Sequence, residues 1–233
     1  MIRHIPNILT LINLAAGFIA VIFIMNGDNR TAVWLLCAAL LFDFADGMAA
    51  RLLGAYSELG KQLDSLADVI SFGVAPGLLM YIMIRDAGGM EFIGEGIAWV
   101  AVLIPVLSGL RLAIFNLDTE QRDSFRGLPT PANAFFVFSL ILASLYSDSK
   151  LIESVTSSRE LLTILTVMLS ILMITRIPMI SLKVKTIRLK GNELRIIFIA
   201  LSLLLFILAG VASLPLIIII YIVVSIANAI TTG

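Results

Sequence analysis

Residues 43–68 read Asp43-Phe44-Ala45-Asp46-Gly47-Met48-Ala49-Ala50-Arg51, then eight residues from Leu52 to Leu59, then Gly60-Lys61-Gln62-Leu63-Asp64-Ser65-Leu66-Ala67-Asp68. Asp43 and Asp46 are three apart, and Asp64 and Asp68 are four apart, so each pair shares a face if its segment is a helix. The intervening stretch carries Gly54 and Gly60 and predicts a short turn, so the two helices run antiparallel and present four carboxylates to one small volume. The surrounding sequence is apolar. An ionised aspartate at the centre of a membrane helix costs roughly 2.5–3.5 kcal/mol on insertion scales. Four together call for a bound cation. Side-chain oxygens suit hard divalent ions such as Mg²⁺, Mn²⁺ or Ca²⁺. Two such ions are able to clamp a pyrophosphate. Gly47 and Ala50 leave a small surface beside the acids, and Arg51 offers forked hydrogen bonds to phosphate. The competing reading pairs the buried aspartates with Arg51, Lys61 and Arg111. It explains neither the spacing nor the small residues.

Outward from this stretch, the chain is 60% hydrophobic over 233 residues, with a mean hydropathy of +1.05. Soluble domains are nearer half apolar. The expected fold is all-α, a polytopic helical membrane protein forming a single domain over 1–233. About eight segments are candidate transmembrane helices: 8–26, 31–53, 64–84, 95–116, 131–147, 161–181, 196–212 and 215–230. The first lacks a small-residue cleavage site and is longer than a typical signal-peptide core, so it reads as a retained helix. Formal net charge is zero, which argues against nucleic acid as a partner. Cys37 is the only cysteine and His4 the only histidine. Intramolecular disulfides, serine–histidine catalysis and polyhistidine metal sites are therefore excluded by inventory.

With the N-terminus taken as cytoplasmic, Arg3, Arg51, Lys61, Arg122, Arg126, Lys183, Lys185, Arg188, Lys190 and Arg195 fall on the cytoplasmic side. Arg30, Arg85, Lys150 and Arg159 face outward. The positive-inside rule favours this arrangement. It puts the acids, and both termini, toward the cytoplasmic side. The basic 183–195 segment is either this topological signal or an attractor of anionic lipid headgroups.

The pattern Asp-x2-Asp-Gly-x2-Ala-Arg-x8-Gly-x3-Asp-x3-Asp resembles the signature of the CDP-alcohol phosphotransferases. Its fixed positions are met by Asp43, Asp46, Gly47, Ala50, Arg51, Gly60, Asp64 and Asp68. The resemblance implies displacement of CMP from a CDP-linked lipid by an alcohol, with a divalent metal. It implies Asp43, Asp46 and Asp64 as metal ligands, and Asp68 as general base that also touches metal. Mg²⁺ or Mn²⁺, with Ca²⁺ as a third candidate, is the implied cofactor, as two ions. A homodimer is also implied.

Three further stretches resemble the branch of that family that makes phosphatidylserine from CDP-diacylglycerol and L-serine. They are Val69-Ile70-Ser71-Phe72-Gly73-Val74-Ala75-Pro76, Leu110-Arg111-Leu112-Ala113-Ile114-Phe115-Asn116 with Phe125-Arg126-Gly127-Leu128-Pro129-Thr130-Pro131, and the opening Ile5-Pro6-Asn7 through Asn13. The likeness covers roughly residues 5–131 and departs at Ile114, where that branch is expected to carry a basic residue.

Serine is a zwitterion, so its site needs a cation and acceptors. Arg111 is an intramembrane arginine and reads as a ligand for the serine carboxylate or lipid phosphate, or as half of a structural ion pair. Ser71 and Asn116 are candidate serine contacts, although Ser71 has the alternative of bonding back to its own helix. Asn7, Thr10 and Asn13 share a face of the first helix. They either meet the cytidine and pyrophosphate of the CDP-lipid, as do Gly47, Ala50, Arg51 and Gly60, or pack between helices. Gly73 and Pro76 predict a helix break lining a cavity. Gly127, Pro129 and Pro131 shape the loop into the next helix, as a turn or a lid. Arg176 reads as an arginine reaching to the inner surface. Two alternatives remain: another acceptor alcohol, such as glycerol 3-phosphate or an inositol phosphate, and a cation transporter.

Overall fold

A computed structural model of the chain describes residues 4–88, 94–117, 125–180 and 192–232. Arg3, Arg122, Lys183, Lys185, Arg188 and Lys190 of the charge pattern lie outside the described residues. The protein is a bundle of helices: α1 (Ile5–Met25), α2 (Asn29–Leu53), α3 (Glu58–Asp68), α4 (Ala75–Asp86), α5 (Leu103–Leu117), α6 (Thr130–Tyr146), α7 (Lys150–Ser157), α8 (Arg159–Ile174), α9 (Glu193–Ala209) and α10 (Leu214–Thr232). Seven of the eight predicted apolar stretches lie on helical runs to within a residue or two, and the eighth, 161–181, is helical only to Ile174 before the chain passes into β2. A two-residue antiparallel pair, β1 (Phe125–Arg126) with β2 (Pro178–Met179), and a single bridge between Gly88 and Ser158 are the β features among the described residues. Among the described residues five helical runs are long and apolar enough to cross a bilayer.

The ends of the helices are written locally. Asp28 caps α2 by accepting the Thr31 N–H at 3.0 Å. Gly54 closes it with φ 57°, the left-handed conformation that glycine adopts without steric cost. Ser57 then caps α3 by accepting the Gly60 N–H at 3.0 Å. Four residues, Gly54 to Ser57, therefore turn the chain through a tight reversal between α2 and α3.

Gly73 and Pro76 do not break the helix. α3 runs on into α4 through a π-helical stretch, Val69–Val74, in which the Ala75 N–H reaches back to the Ile70 carbonyl. The physical reason lies in Pro76, which has no N–H and is accommodated by the wider π turn rather than by a gap. The two glycines serve contact instead. A Cβ on Gly77 would stand 2.8 Å from Pro105 Cδ, and one on Gly73 would stand 3.3 Å from Ser108 Cβ, so both let α5 approach closely.

α6 occupies the centre. Buried residues surround it, among them Ala134, Phe136, Phe138, Leu140 and Leu142, as expected of a helix enclosed by others. The apolar run 194–231 is long enough for one helix, but it folds back at Gly210 (φ 55°). The Phe198 and Tyr221 rings lie 5.8 Å apart. A straight helix would separate them by about 35 Å at 1.5 Å per residue. α9 and α10 thus form a hairpin, with α9 largely exposed to the surroundings.

Candidate active site

The α2–α3 reversal sets the register of the four acids. Asp43 precedes Gly54 by eleven residues, and Asp68 follows Ser57 by eleven. At 1.5 Å rise both lie about 16 Å inward from the turn. Asp46 and Asp64 form a shallower layer, eight residues before Gly54 and seven after Ser57. One carboxylate oxygen from each of Asp43, Asp64 and Asp68 lies within 4.8 Å of the other two. Asp46 stands beside this group. It is held by the Thr10 hydroxyl, which is 2.5 Å from Asp46 Oδ2 and 3.0 Å from the Pro6 carbonyl. α1 therefore buttresses the acidic site from the side.

Among the described residues no basic side chain forms an ion pair with these aspartates. Lys61 Nζ donates to the Asn116 carbonyl at 2.7 Å. Arg111 Nη1 donates to Thr130 Oγ1 at 3.4 Å. Arg51 is exposed at the end of α2. The reading of the acids as partners of Arg51, Lys61 and Arg111 thus finds no support in the contacts. Asp68 is only 5% exposed and its Oδ1 has no hydrogen-bond partner. A buried, unpartnered carboxylate oxygen facing two further carboxylates fits a divalent cation, because an all-oxygen donor set is what hard cations take.

A cavity of about 580 Å³ leads from the turn to the acids. Pro6, Asn7 and Thr10 of α1, Asp46, Gly47 and Ala50 of α2, and Gly60, Lys61 and Asp64 of α3 line it. Ala55, Tyr56, Ser57 and Glu58 line it at the turn. The volume is in the range of small-molecule sites. A Cβ on Gly47 would meet nothing within 4 Å, while one on Gly60 would stand 3.0 Å from Asn7 Oδ1. Gly47 keeps space open, and Gly60 lets α1 approach. Asn7, Thr10, Gly47, Ala50 and Gly60 are thus brought together, and Arg51 is not among the lining residues. The turn residues Tyr56 to Glu58 were missed in the sequence. Their signal was only position, in the gap between the two halves of the motif.

The three remaining candidates lie elsewhere. Ser71 is fully buried and donates to the Asn13 carbonyl of α1 at 3.0 Å, directly beneath Gly17. Its bond crosses to another helix rather than returning to its own. Asn13 is buried on the same seam, and its side-chain amide has no partner. Asn116 Nδ2 donates to Ser65 Oγ at 2.8 Å, which ties α5 to α3. Arg111 is 8% exposed and its Nε has no partner. It opens into a second cavity of about 320 Å³, shared with Arg126, Arg176, Ile114, Phe115 and Thr175 among others. Arg176 therefore lines a cavity as well as being exposed. The loop before α6 is pinned: Gly127 N–H donates to the Ile177 carbonyl at 2.9 Å and Leu128 N–H to the Leu172 carbonyl at 3.0 Å. Gly127 has φ 74°, and a Cβ there would stand 2.5 Å from the Met173 carbonyl oxygen, so only glycine fits the turn.

Paired acids on antiparallel membrane helices, beside a cavity of small-molecule size and with a second cavity lined by three arginines nearby, define a polytopic helical membrane protein with a polar site between its helices. The family model for CDP-alcohol phosphatidyltransferase matches residues 3–172, and the chain belongs to that family. Among similar proteins are two named CDP-diacylglycerol--serine O-phosphatidyltransferase. The one from Mycobacterium leprae is 35% identical over 186 residues, covering 76% of this chain and 58% of that protein. The one from Helicobacter pylori is 34% identical over 198 residues, covering 84% of this chain and 80% of that protein. An archaetidylserine synthase from Methanothermobacter thermautotrophicus is 36% identical over 145 residues, covering 61% of this chain and 60% of that protein. The chain thus spans less than two thirds of the length of two of these three relatives.

Proposed function

We propose that the chain transfers the phosphatidyl group of CDP-diacylglycerol to the hydroxyl of L-serine, giving phosphatidylserine and CMP. The observation that carries this reading is the acid cluster at the larger cavity together with a separate cavity lined by arginines. Asp68 clusters with Asp64, which lines the larger cavity, and Arg111 lines the other. The names of the similar proteins support serine as the acceptor.

Asp43, Asp46, Asp64 and Asp68 are the residues that would hold Mg²⁺ or Mn²⁺, with Ca²⁺ as a third candidate. When bound, such ions supply positive charge to the pyrophosphate and its leaving oxygen. The cavity along Asn7, Thr10, Gly47, Ala50 and Gly60 takes the CDP group, while the lipid tails lie sideways between helices. Arg111, with Arg126 and Arg176, draws the serine carboxylate into the smaller cavity. That places the serine hydroxyl toward Asp68. The Asp68 carboxylate accepts the hydroxyl proton, the serine oxygen forms a bond to the lipid-side phosphorus, and the bond from that phosphorus to the CMP oxygen breaks. Direct in-line attack inverts configuration at phosphorus. Ser71 and Asn116 hold the helices around the acceptor. The acids face the cytoplasmic side, where CMP is released, and the enzyme works as a homodimer.

Purified protein offered labelled CDP-diacylglycerol and one alcohol at a time tests the reading. Release of CMP is expected with serine, is lost on exhaustive chelation, and returns with Mg²⁺ or Mn²⁺. Release with glycerol 3-phosphate or an inositol phosphate but not with serine would overturn the acceptor. Full activity after chelation would overturn the metal.

A further inference from the structure

The C-terminal hairpin lies beyond the residues matched by the family model, which end at 172. It nevertheless contacts Ile180, at the end of the strand that follows Arg176 of the arginine cavity. Arg126 belongs to β1 and pairs with Pro178 of β2, and Arg176 sits two residues before β2. The backbone positions of two of the three arginines therefore depend on this strand pair. Two residues per strand are far too few to hold such a pair together in isolation. Its outer end is gripped by α10. The Ile180 N–H donates to Ser225 Oγ at 3.2 Å, and the Tyr221 hydroxyl donates to the Ile180 carbonyl at 3.1 Å. One residue is thus held at both its backbone polar groups. Tyr221 and Ser225 are four residues apart on one face of α10, and both are buried. The Tyr221 ring also packs on Phe198 of α9.

We infer that Tyr221 and Ser225 of α10 are positioning residues for the acceptor: by clamping Ile180 they set the spacing of Arg126 and Arg176 against Arg111, and so the affinity for the acceptor's carboxylate. The inference rests on the reading of the arginine cavity as the acceptor site. Neither side chain touches substrate.

Steady-state kinetics of the purified full chain, with serine and CDP-diacylglycerol varied in turn, separate the two ideas. Tyr221→Phe and Ser225→Ala each remove one hydrogen bond to Ile180. Each is expected to raise KM for serine by about three- to tenfold, the effect of one lost hydrogen bond. Both leave kcat and KM for CDP-diacylglycerol within about twofold, a smaller change than one such bond carries. Ser225→Thr keeps the hydroxyl and is expected to restore KM for serine. Arg126→Gln and Arg176→Gln serve as the reference. If they raise KM for serine while the α10 variants do not, the clamp is wrong and the acceptor cavity stands. If they leave KM for serine unchanged, the acceptor cavity itself is wrong. A parallel fall in kcat, both KM values and melting temperature, or failure of the isosteric Tyr221→Phe to fold, would make the contact merely structural and overturn the inference.

Discussion

Asp68 illustrates how much one residue's surroundings decide. The same carboxylate on a soluble helix would be a hydrated surface charge. Here it is buried beside Asp43 and Asp64 with an unpartnered oxygen, and Arg111 is held at Thr130 rather than at the acid. An acid kept free of cationic side chains remains available to accept a proton. Replacing it tests that role apart from metal holding. Asp68→Asn is expected to lower turnover by about a hundred- to ten-thousandfold, the scale of general base catalysis, and added Mg²⁺ should not restore it. Asp46→Asn, whose carboxylate is shared with the Thr10 hydroxyl, is expected instead to need more metal for half-maximal rate. Metal titrations of both variants, read by CMP release, check the contrast. The identities and spacing of these acids were legible in the sequence because helical periodicity is local. The engagement of Thr10 with Asp46 was not, because it joins residues 36 apart.

At the level of elements, small residues do two different jobs that look the same on paper. A Cβ on Gly17 would run into Ser71, including its backbone Cα at 2.8 Å, so α1 and the π-helical stretch touch through that glycine. Gly47 faces open space. Gly17→Val is therefore expected to lower stability by about 1–3 kcal/mol, the usual range for overpacking. Gly47→Val should leave stability nearly unchanged and still depress activity by narrowing the nucleotide-sized cavity. Melting curves in detergent alongside CMP release distinguish them. A fall in melting temperature for Gly47→Val equal to that for Gly17→Val would contradict the assignment. The helices themselves follow from long apolar runs with readable caps at Asp28, Gly54 and Ser57. The π-helical stretch did not, because Gly73 and Pro76 are compatible with either a break or a widened turn. Packing against Pro105 and Ser108 favours the continuous one.

Across the whole molecule, charge and apolarity set the protein in the membrane. Arg51, Lys61, Arg126 and Arg176 gather at the end bearing the α2–α3 turn, and Arg30, Arg85, Lys150 and Arg159 at the other. In a Cys37→Ser background, Glu58→Cys is expected to react with a membrane-impermeant maleimide only after cells are opened, and Lys150→Cys in intact cells. The reverse pattern would put the acids on the outer side. The sequence by itself determined the helical class, the membrane setting, the pairing of four acids and the resemblance to one family, since all of these rest on composition and on spacing within neighbouring helices. Only the tertiary structure decided which helix buttresses Asp46, that Arg111 meets Arg126 and Arg176 around one cavity, and that α10 returns to grip Ile180. Those contacts join residues distant along the chain. They depend on how helices pack and fold back, and an apolar run such as 194–231 reads the same whether it stays straight or turns at Gly210.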